Sequence, residues 1–256
     1  MLIQKLIENE FLFSELVKRD FKRKYKRTVL GMLWSLLSPL LMLFVYRIVF
    51  TRFFGSNMAH YTTYLFSGHL VFSCFQEATN AGMTSLVYNS DIYSKVNVPK
   101  YIFLLAQNVT VLINFAMTLC VYFLFAAIDH ITFHWNFLLL VFPIACLITF
   151  NIGVGLILSA MFVMFRDIQY LYGVLTQIIL YCSAIFYSID QYSQTAQFVF
   201  LLNPVYVYIR YFRKIVIENT IPTVQFHVLA AGYALIFIAI GGHIYKKNNH
   251  KFLYYI

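Results

Sequence analysis

The stretch RDFKRKYKRTVLGMLWSLLSPLL, from Arg19 to Leu41, indicates the fold class of this chain. Within it, a dense run of Lys and Arg passes directly into an apolar run. Positive charge beside a membrane span is retained on the cytoplasmic side, so the basic run predicts where the N-terminus lies. The apolar run predicts that the chain enters the membrane as a helix.

The composition of the whole chain supports that prediction. Of its 256 residues, 61% are hydrophobic and only 11% are charged, whereas an ordinary soluble domain has about 25% charged residues. The mean hydropathy is +0.72. Apolar runs of about 20 residues recur, which is the length that crosses a hydrocarbon core of about 30 Å as a helix. Strand-like alternation is absent, so we predict an all-α polytopic membrane protein.

Six of the apolar runs are predicted to be transmembrane helices. A seventh stretch, Ala196 to Ile217, is split by Asn203-Pro204 into halves too short to cross. We therefore expect outer re-entrant helices over residues 190–217, with Arg210, Arg213 and Lys214 at or near the outer surface. The six predicted spans are approximately Val29–Phe50, Tyr61–Leu86, Ile102–Ile128, Phe137–Phe165 (with Gly153 and Gly155 permitting close helix approach), Ile168–Tyr187 and Phe226–Tyr245.

The placement of the positive charge indicates a membrane topology and gives no indication of a nucleic-acid partner. The net charge is +9, and eight of the nineteen Lys and Arg residues fall between Lys5 and Arg27. With six spans, fourteen of the nineteen lie on the cytoplasmic side and five outside. The positive-inside bias therefore predicts a multi-pass protein of the cytoplasmic (inner) membrane with both termini cytoplasmic.

Residues 1–28 are predicted to form a cytoplasmic amphipathic interfacial helix, ahead of a six-helix transmembrane domain over residues 29–256. At about 100° per residue, an apolar arc running from Leu2 to Tyr25 lies opposite a basic arc. Such a helix places its basic face toward anionic membrane lipid or a partner. A topology signal with no other role is the alternative. The candidate contact residues are Arg19, Lys22, Arg23, Tyr25 and Lys26.

Several polar and aromatic side chains lie inside the predicted spans. A carboxylate such as that of Glu77 is energetically costly to bury at that depth. It could serve as a structural hydrogen-bonding group or take part in a transport path, and the sequence leaves both roles equally open. Aromatic surfaces with hydroxyl groups suit sugar rings, although simple helix packing explains any single residue as well. The candidate substrate-channel residues are Trp34, Ser38, Met42 and Tyr46, which repeat every fourth residue, together with Glu77, Gln177 and Tyr181.

Motifs for nucleotide binding and hydrolytic catalysis are absent from the sequence. There is no GxxxxGK(S/T) phosphate loop, no HExxH pattern and no nucleophile elbow. His130 and His134 are four residues apart but have no further ligand nearby, so no metal site is predicted. The four cysteines are scattered through apolar runs and are interpreted as small buried side chains. Acidic residues in the spans are few, so any transport must draw its energy from another subunit.

Most of the chain resembles polysaccharide-export ABC transporter permeases, the family that serves O-antigen, capsule and teichoic acid export. His69 is a departure, since a more apolar residue is expected there. The similar stretches are RDFKRKYKRTVLGMLWSLLSPLLM (residues 19–42), YLFSGHLVFSCFQEATNAGMTSLVYNSDIYSKVNVPK (64–100), LSAMFVMFRDIQYLYGVLTQIILYCSAIFY (158–187) and LNPVYVYIRYFRKIVI (202–217).

The resemblance implies a homodimer of six-span subunits that moves a lipid-linked polysaccharide. Each subunit would dock on one of two ABC ATPase subunits, which bind the ATP and Mg, so this chain itself binds no cofactor. A cytoplasmic coupling loop over residues 88–100 would receive the ATPase motion. The channel would run between the first and fifth spans, and the re-entrant helices would gate its exit. The implied coupling residues are Asn89, Asp91, Tyr93, Ser94, Lys95, Asn97, Pro99, Arg166 and Asp167, and the implied outer-gate residues are Asn203, Pro204, Arg210 and Arg213.

Two other functions stay open from the sequence. One is an ABC permease of the same architecture that exports a small lipid or drug. The other is a membrane-embedded acyl- or glycosyl-transferase, which would need a polar catalytic constellation. The seven histidines do not cluster in sequence, but the sequence alone leaves their arrangement in space undetermined.

Overall fold

A computed structural model describes residues 8–26, 28–50 and 59–255, and the regular structure in those ranges is helical, without strands. The all-α prediction is confirmed for them. Leu2 and Arg27 lie outside the described residues. The helices are α1 (Glu10–Tyr25), α2 (Trp34–Phe50), α3 (Tyr61–Tyr88), α4 (Ser90–Tyr93), α5 (Tyr101–Ile128), α6 (Val141–Met164), α7 (Ile168–Tyr181), α8 (Gln194–Leu201), α9 (Pro204–Val216) and α10 (Val224–Asn248), with 3-10 turns at Gly31–Leu33, Trp135–Leu140 and Lys251–Leu253.

Four helical segments of the described chain are long and apolar enough to cross a membrane, namely Gly31–Phe50, Tyr101–Ile128, Trp135–Met164 and Val224–Asn248. Helix α3 is 28 residues long but carries more polar residues than these. Helix α7 has 14 residues, which at about 1.5 Å per residue is shorter than the hydrocarbon core. These lengths support a polytopic membrane protein, and the count of six spans stays a prediction.

Helices α3 and α6 form the centre of the bundle, with α5, α9 and α10 packed around them. Glycines allow two close contacts, as expected at Gly153 and Gly155. A Cβ on Gly153 would lie 2.5 Å from the carbonyl carbon of Phe237, and one on Gly82 would lie 3.0 Å from the Cα of Gly155. Small residues at such crossings permit the dense van der Waals packing that holds helices together in lipid.

One end of the bundle gathers α1, α4 and the last described turn of the chain. Leu16, Tyr93 and Phe252 are buried in the same apolar cluster. The Lys100 ammonium donates to the Asn249 carbonyl at 2.8 Å and lies over the rings of Tyr93 and Phe252. The N-terminal helix, the predicted coupling loop and the C-terminal turn are therefore neighbours.

The opposite end contains a break in the fifth predicted span. The span was expected to be one helix to Tyr187, but that boundary is wrong, because α7 ends at Tyr181 and the next six residues are irregular. Ala184 has a φ of 49° there. Irregular backbone at membrane depth is tolerated only where protein satisfies its polar groups, and side chains of α3 and α9 supply those partners.

The cysteines differ in their surroundings. Cys74 and Cys146 are buried as expected, but the same interpretation is wrong for Cys120 and Cys182, which are exposed. Both lie on outward faces at the ends or sides of apolar helices. A thiol behaves as a small hydrophobic group, so exposure toward lipid costs it little.

Candidate functional site

A cavity of about 540 Å³ lies between the end of α1 and helices α2, α3 and α5. This volume falls within the range of about 300–1,000 Å³ typical of ligand pockets. Side chains of a single copy of the chain form its wall. They are Lys24, Tyr25, Thr28, Trp34, Ser35, Ser38, Pro39, Met42, His69, Leu70, Ser73, Cys74, Glu77, Val111, Asn114, Phe115 and Thr118.

Helix α2 contributes one face to this cavity. Trp34, Ser38 and Met42 are four residues apart, so they lie one above another on the helix, and all three line the cavity. Tyr46, the next in the series, lies beyond the cavity, with its ring 5.3 Å from that of His69 and 5.2 Å from that of Phe186. The structure thus brings three of the four α2 channel candidates together.

The two channel candidates on α7 lie elsewhere. Tyr181 is 61% exposed and Gln177 is also exposed, and neither lines the cavity. They belong to an outward face of α7 that also carries large exposed apolar side chains, including Leu171, Val174 and Ile178. This face and the cavity are separate surfaces of the chain.

Glu77 forms an ion pair with Lys24 at the wall of the cavity. Asn114 Nδ2 donates to the same carboxylate at 3.3 Å, and the Tyr25 hydroxyl donates to Asn114 Oδ1 at 2.7 Å. The pair joins α1 to α3 and leaves the cavity wall without net formal charge. Both side chains are about 40% exposed, and exposed pairs of this kind contribute at most about 1 kcal/mol.

His69 is a cavity residue that was not predicted to be functional. Its ring is partly exposed, while Nδ1 is buried and has no hydrogen-bond partner among the described residues. Nearby polar groups are already engaged with their own helices, since Ser73 donates to Leu70 at 3.1 Å and Thr118 donates to Asn114 at 3.0 Å. The only sequence signal was a polar residue where an apolar one was expected.

Helix α1 is attached to the bundle by polar contacts that the amphipathic pattern did not predict. Asp20 is 5% exposed and accepts from Gln107 at 2.8 Å and from Arg19 at 2.7 Å. Arg19 also donates to Asn89 Oδ1 at 2.6 Å, next to α4. Arg19 lies in the basic arc and Asp20 in the apolar arc, so the helix binds α5 and the predicted coupling loop through polar side chains of both arcs.

All five predicted interfacial residues line one groove of about 680 Å³ on α1. Lys22, Arg23 and Lys26 are exposed there, so the groove presents cationic groups to its surroundings. Clustered cations of this kind attract anionic headgroups or acidic partner surfaces. The lining residues are Arg19, Phe21, Lys22, Arg23, Tyr25, Lys26 and Met32.

The predicted coupling residues divide into buried and exposed groups. Asn89 and Tyr93 are buried, with exposed fractions of 2% and 5%. Burial raises the pKa of Tyr93 to about 12, although the charge of nearby Arg166 opposes this shift. Burial also lowers the pKa of Lys100, which packs against the Tyr93 ring. The exposed or partly exposed members are Asp91, Ser94, Lys95, Asn97, Pro99, Arg166 and Asp167.

Arg213 is buried, contrary to the surface position expected for it, with only 2% of the residue exposed. Its guanidinium donates to the carbonyls of Ala184 at 2.8 Å, Ile185 at 3.2 Å and Tyr64 at 3.2 Å, and to Ser67 Oγ at 3.2 Å. It also lies 3.4 Å from the centre of the Tyr64 ring. The irregular segment after α7 supplies carbonyl acceptors that a continuous helix would not offer. This explains why Arg213 is buried and does not lie at the surface as expected.

The remaining outer-gate candidates also connect to this segment. Asn203 caps α9 by accepting from the Val205 amide at 3.0 Å, and its amide group donates to Ser183 Oγ at 2.9 Å. Pro204 occupies the first turn of α9, where its missing N–H is harmless. Arg210 lies nearer the surface and forms ion pairs with Glu218 and Asp190 at 2.5 and 3.5 Å.

Among the described residues, no three or more His, Cys, Asp or Glu side chains come together as a potential metal site. The polar features of these ranges are the mixed cavity, the basic groove, the exposed residues predicted for coupling and the Arg213 cluster.

Comparison with known proteins gives a consistent result. The family model described as "ABC-2 type transporter" matches residues 12–217. The chain is 25% identical to an O-antigen export system permease protein RfbA of Myxococcus xanthus, over 98% of this chain and 97% of that protein. It is also 25% identical to a protein of the same name from Klebsiella pneumoniae, over 94% and 95% of the two chains. These relatives are transport subunits, in line with the absence of catalytic motifs noted above.

Proposed function

The chain belongs to the ABC-2 type transporter family, and on this premise we propose that it is the permease subunit of an ABC exporter for a lipid-linked polysaccharide. Its similarity to O-antigen export system permeases over nearly their whole length supports polysaccharide as the cargo. The match of the family to residues 12–217 carries the proposal. The four long apolar helices support a place in the cytoplasmic (inner) membrane.

A separate ATPase subunit drives the permease. Two ATPase copies serve two copies of this chain and hold the ATP and Mg, while this chain binds no cofactor. Nucleotide shifts the assembly between two states by binding one of them more tightly, and that difference is the source of the work. The permease must therefore carry a surface that senses the ATPase state.

We place that surface at α4 and the α6–α7 turn. Asp91, Lys95 and Arg166 are exposed, so they are available to an ATPase partner. Buried Asn89 immediately precedes α4 and accepts a hydrogen bond from Arg19 of α1. A displacement of α4 would therefore move α1. Through the Lys24–Glu77 ion pair, movement of α1 would change the wall of the cavity.

In the proposed topology six spans cross the membrane with both termini cytoplasmic. The clustering of α1, α4 and the C-terminal turn at one end supports a shared side for the two termini. The basic groove of α1 then faces anionic lipid headgroups. At the other end, α8 and α9 form the re-entrant pair that gates the exit.

A homodimer completes the path for the cargo. The outward faces of α2 and α7 are apolar and unpacked, with Phe44 at 62% and Tyr170 at 76% exposure. Two copies that meet at these faces would enclose a channel lined in part by Gln177 and Tyr181. Its aromatic walls suit the faces of sugar rings.

Deletion of the gene tests the proposed function. We expect polysaccharide to accumulate inside the cells, and wild-type permease supplied together with its ATPase to restore export. Accumulation of a small lipid or drug with normal polysaccharide export would favour the alternative cargo. Turnover of a substrate by the purified chain alone would contradict a transport function.

Charge reversal tests the coupling surface separately. We expect Asp91→Lys and Lys95→Glu to abolish export while the permease still reaches the membrane and still binds its ATPase. Lys247→Glu is the matched control, because it reverses an exposed charge at the end of α10. Normal export by both α4 variants would exclude α4 from the coupling mechanism.

A further inference from the structure

The cavity between α2, α3 and α5 has the chemical character of a carbohydrate subsite. Its lining is mainly apolar and includes an aromatic face, but uncharged polar groups are spread along it, whereas a pocket for a lipid chain would have few such groups. Hydroxyl, amide or imidazole groups come from all three helices, among them Ser38, Ser73, His69 and Asn114. Ser73 already donates to Leu70, and Asn114 already bonds to Tyr25 and Glu77. An alkyl or prenyl chain placed there would therefore leave Ser38 and His69 without water and without a partner, which is costly.

The charges of the cavity argue against a phosphate ligand. Of the wall residues that the structure describes, Lys24 is the only cationic one, and it is paired with Glu77. A phosphate would have to displace that carboxylate or approach it closely, and like charges at short range repel. An uncharged ligand rich in hydroxyl groups avoids both costs.

Trp34 and His69 are placed to recognise such a ligand. Trp34 is 40% exposed and lines the cavity, so its ring offers the kind of apolar face on which a sugar packs. His69 lines the cavity, and its buried Nδ1 has no hydrogen-bond partner among the described residues. Ser38 likewise forms no side-chain hydrogen bond within those ranges. A sugar hydroxyl can donate and accept, so it can satisfy both groups at once.

We infer that each copy of the chain holds one neutral sugar unit in this cavity, stacked against Trp34 and hydrogen-bonded by His69. This inference rests on the proposed function, because it assigns a subsite for the exported glycan. It differs from the path proposed between two copies, because the cavity lies between helices of one copy, whereas that path would lie between the outward faces of α2 and α7. The Lys24–Glu77 pair then links occupancy of the subsite to the position of α1.

The two tryptophans of the chain allow a direct binding test. Trp135 is 87% exposed and does not line the cavity, so Trp135→Phe leaves Trp34 as the single reporter. The full-length variant in lipid nanodiscs is titrated with decyl maltoside, decyl phosphate or a decyl poly(ethylene glycol) ether, which share one alkyl chain. We expect a saturable change in Trp34 emission with the maltoside. Its affinity should be at least about tenfold higher than the affinities for decyl phosphate and for the ether.

A histidine substitution identifies the recognition group. His69→Leu should weaken maltoside binding about tenfold, the effect of losing roughly 1.4 kcal/mol. His243→Leu is the control, because His243 lies on an exposed part of α10 outside the cavity. Equal responses to maltoside and ether, the strongest response to decyl phosphate, or unchanged binding after His69→Leu would each overturn the inference.

The outcome is separable from that of the proposed function. Binding is measured on the permease without its ATPase, whereas export is measured in cells. Sugar binding without any role in polysaccharide export would refute the function and leave the subsite standing. Normal export with no sugar-specific Trp34 response would refute the subsite alone.

Discussion

Replacing Arg213 should destabilise the protein strongly, because this side chain connects three separate parts of the chain. Its guanidinium bonds to α3 through Tyr64 and Ser67 and to the irregular segment through Ala184 and Ile185. Arg213→Met keeps a long side chain but removes every donor. The carbonyl acceptors would stay buried without this partner.

The magnitude follows from the contacts. Four bonds at about 0.6 kcal/mol each, the mean for interhelical hydrogen bonds in a membrane protein, give roughly 2.4 kcal/mol. Loss of the contact with the Tyr64 ring adds about 0.5–2 kcal/mol. Removing the buried charge also removes its desolvation cost, which offsets part of the total loss. We expect a loss of about 2–4 kcal/mol in the free energy of unfolding. The stability of Arg213→Lys should lie between those of the wild type and Arg213→Met, since one ammonium cannot reach all four acceptors.

Unfolding in mixed micelles, titrated with sodium dodecyl sulfate and followed by circular dichroism, provides the measurement. Arg210→Gln is the control, because Arg210 is 23% exposed and its ion pairs contribute at most about 1 kcal/mol. A loss below about 0.5 kcal/mol for Arg213→Met would refute the reasoning.

Gly68 provides an independent check on the same cluster. A Cβ at this position would lie 2.8 Å from Arg213 Nη2, so Gly68→Ala should push the guanidinium out of place. The effects of Gly68→Ala and Arg213→Met should then be less than additive, because both remove one set of contacts. Full additivity would show that the two residues act separately.

Two further predictions concern packing. Gly241→Ala should cost about 1–3 kcal/mol of stability by overpacking α10 against α6, since its Cβ would meet the carbonyl oxygen of residue 153. Gly232→Ala, on the same helix, has open space around the new Cβ and should cost little. Equal stability of the two variants in the micelle titration would contradict this prediction. Phe252→Ala should remove a fully buried ring from the apolar cluster that packs against α4, at a cost of about 3–5 kcal/mol, and should speed hydrogen exchange in α4. Tyr254→Ala, at an 86% exposed position, should leave the exchange in α4 unchanged. Similar exchange in both variants would show that Phe252 does not stabilise α4.

Local patterns predicted the helices and part of the cavity. The apolar run lengths predicted α5, α6 and α10 to within a few residues, and the four-residue spacing placed Trp34, Ser38 and Met42 on a common face. Both signals operate within one helix, where geometry is fixed by the period of 3.6 residues. They therefore need no knowledge of tertiary contacts.

The other features depend on contacts between distant parts of the chain. Lys24 and Glu77 are 53 residues apart, and no periodicity links them. The burial of Arg213 requires that α7 stop at Tyr181, which in turn requires donors from α3 and α9. His69 was notable in the sequence only as an unexpected polar residue, and its role in the cavity appears once α2 is packed beside α3.

Helices α3 and α5 are longer than the hydrocarbon core of a bilayer is thick. Each has 28 residues, or about 42 Å of axial length, against a hydrocarbon core of about 30 Å. A typical tilt of about 20° shortens that span by only a few ångströms. In the proposed topology the surplus crosses the headgroup layer and places α4 near its cytoplasmic edge. A soluble ATPase could then contact α4 at the membrane surface without entering the hydrocarbon core.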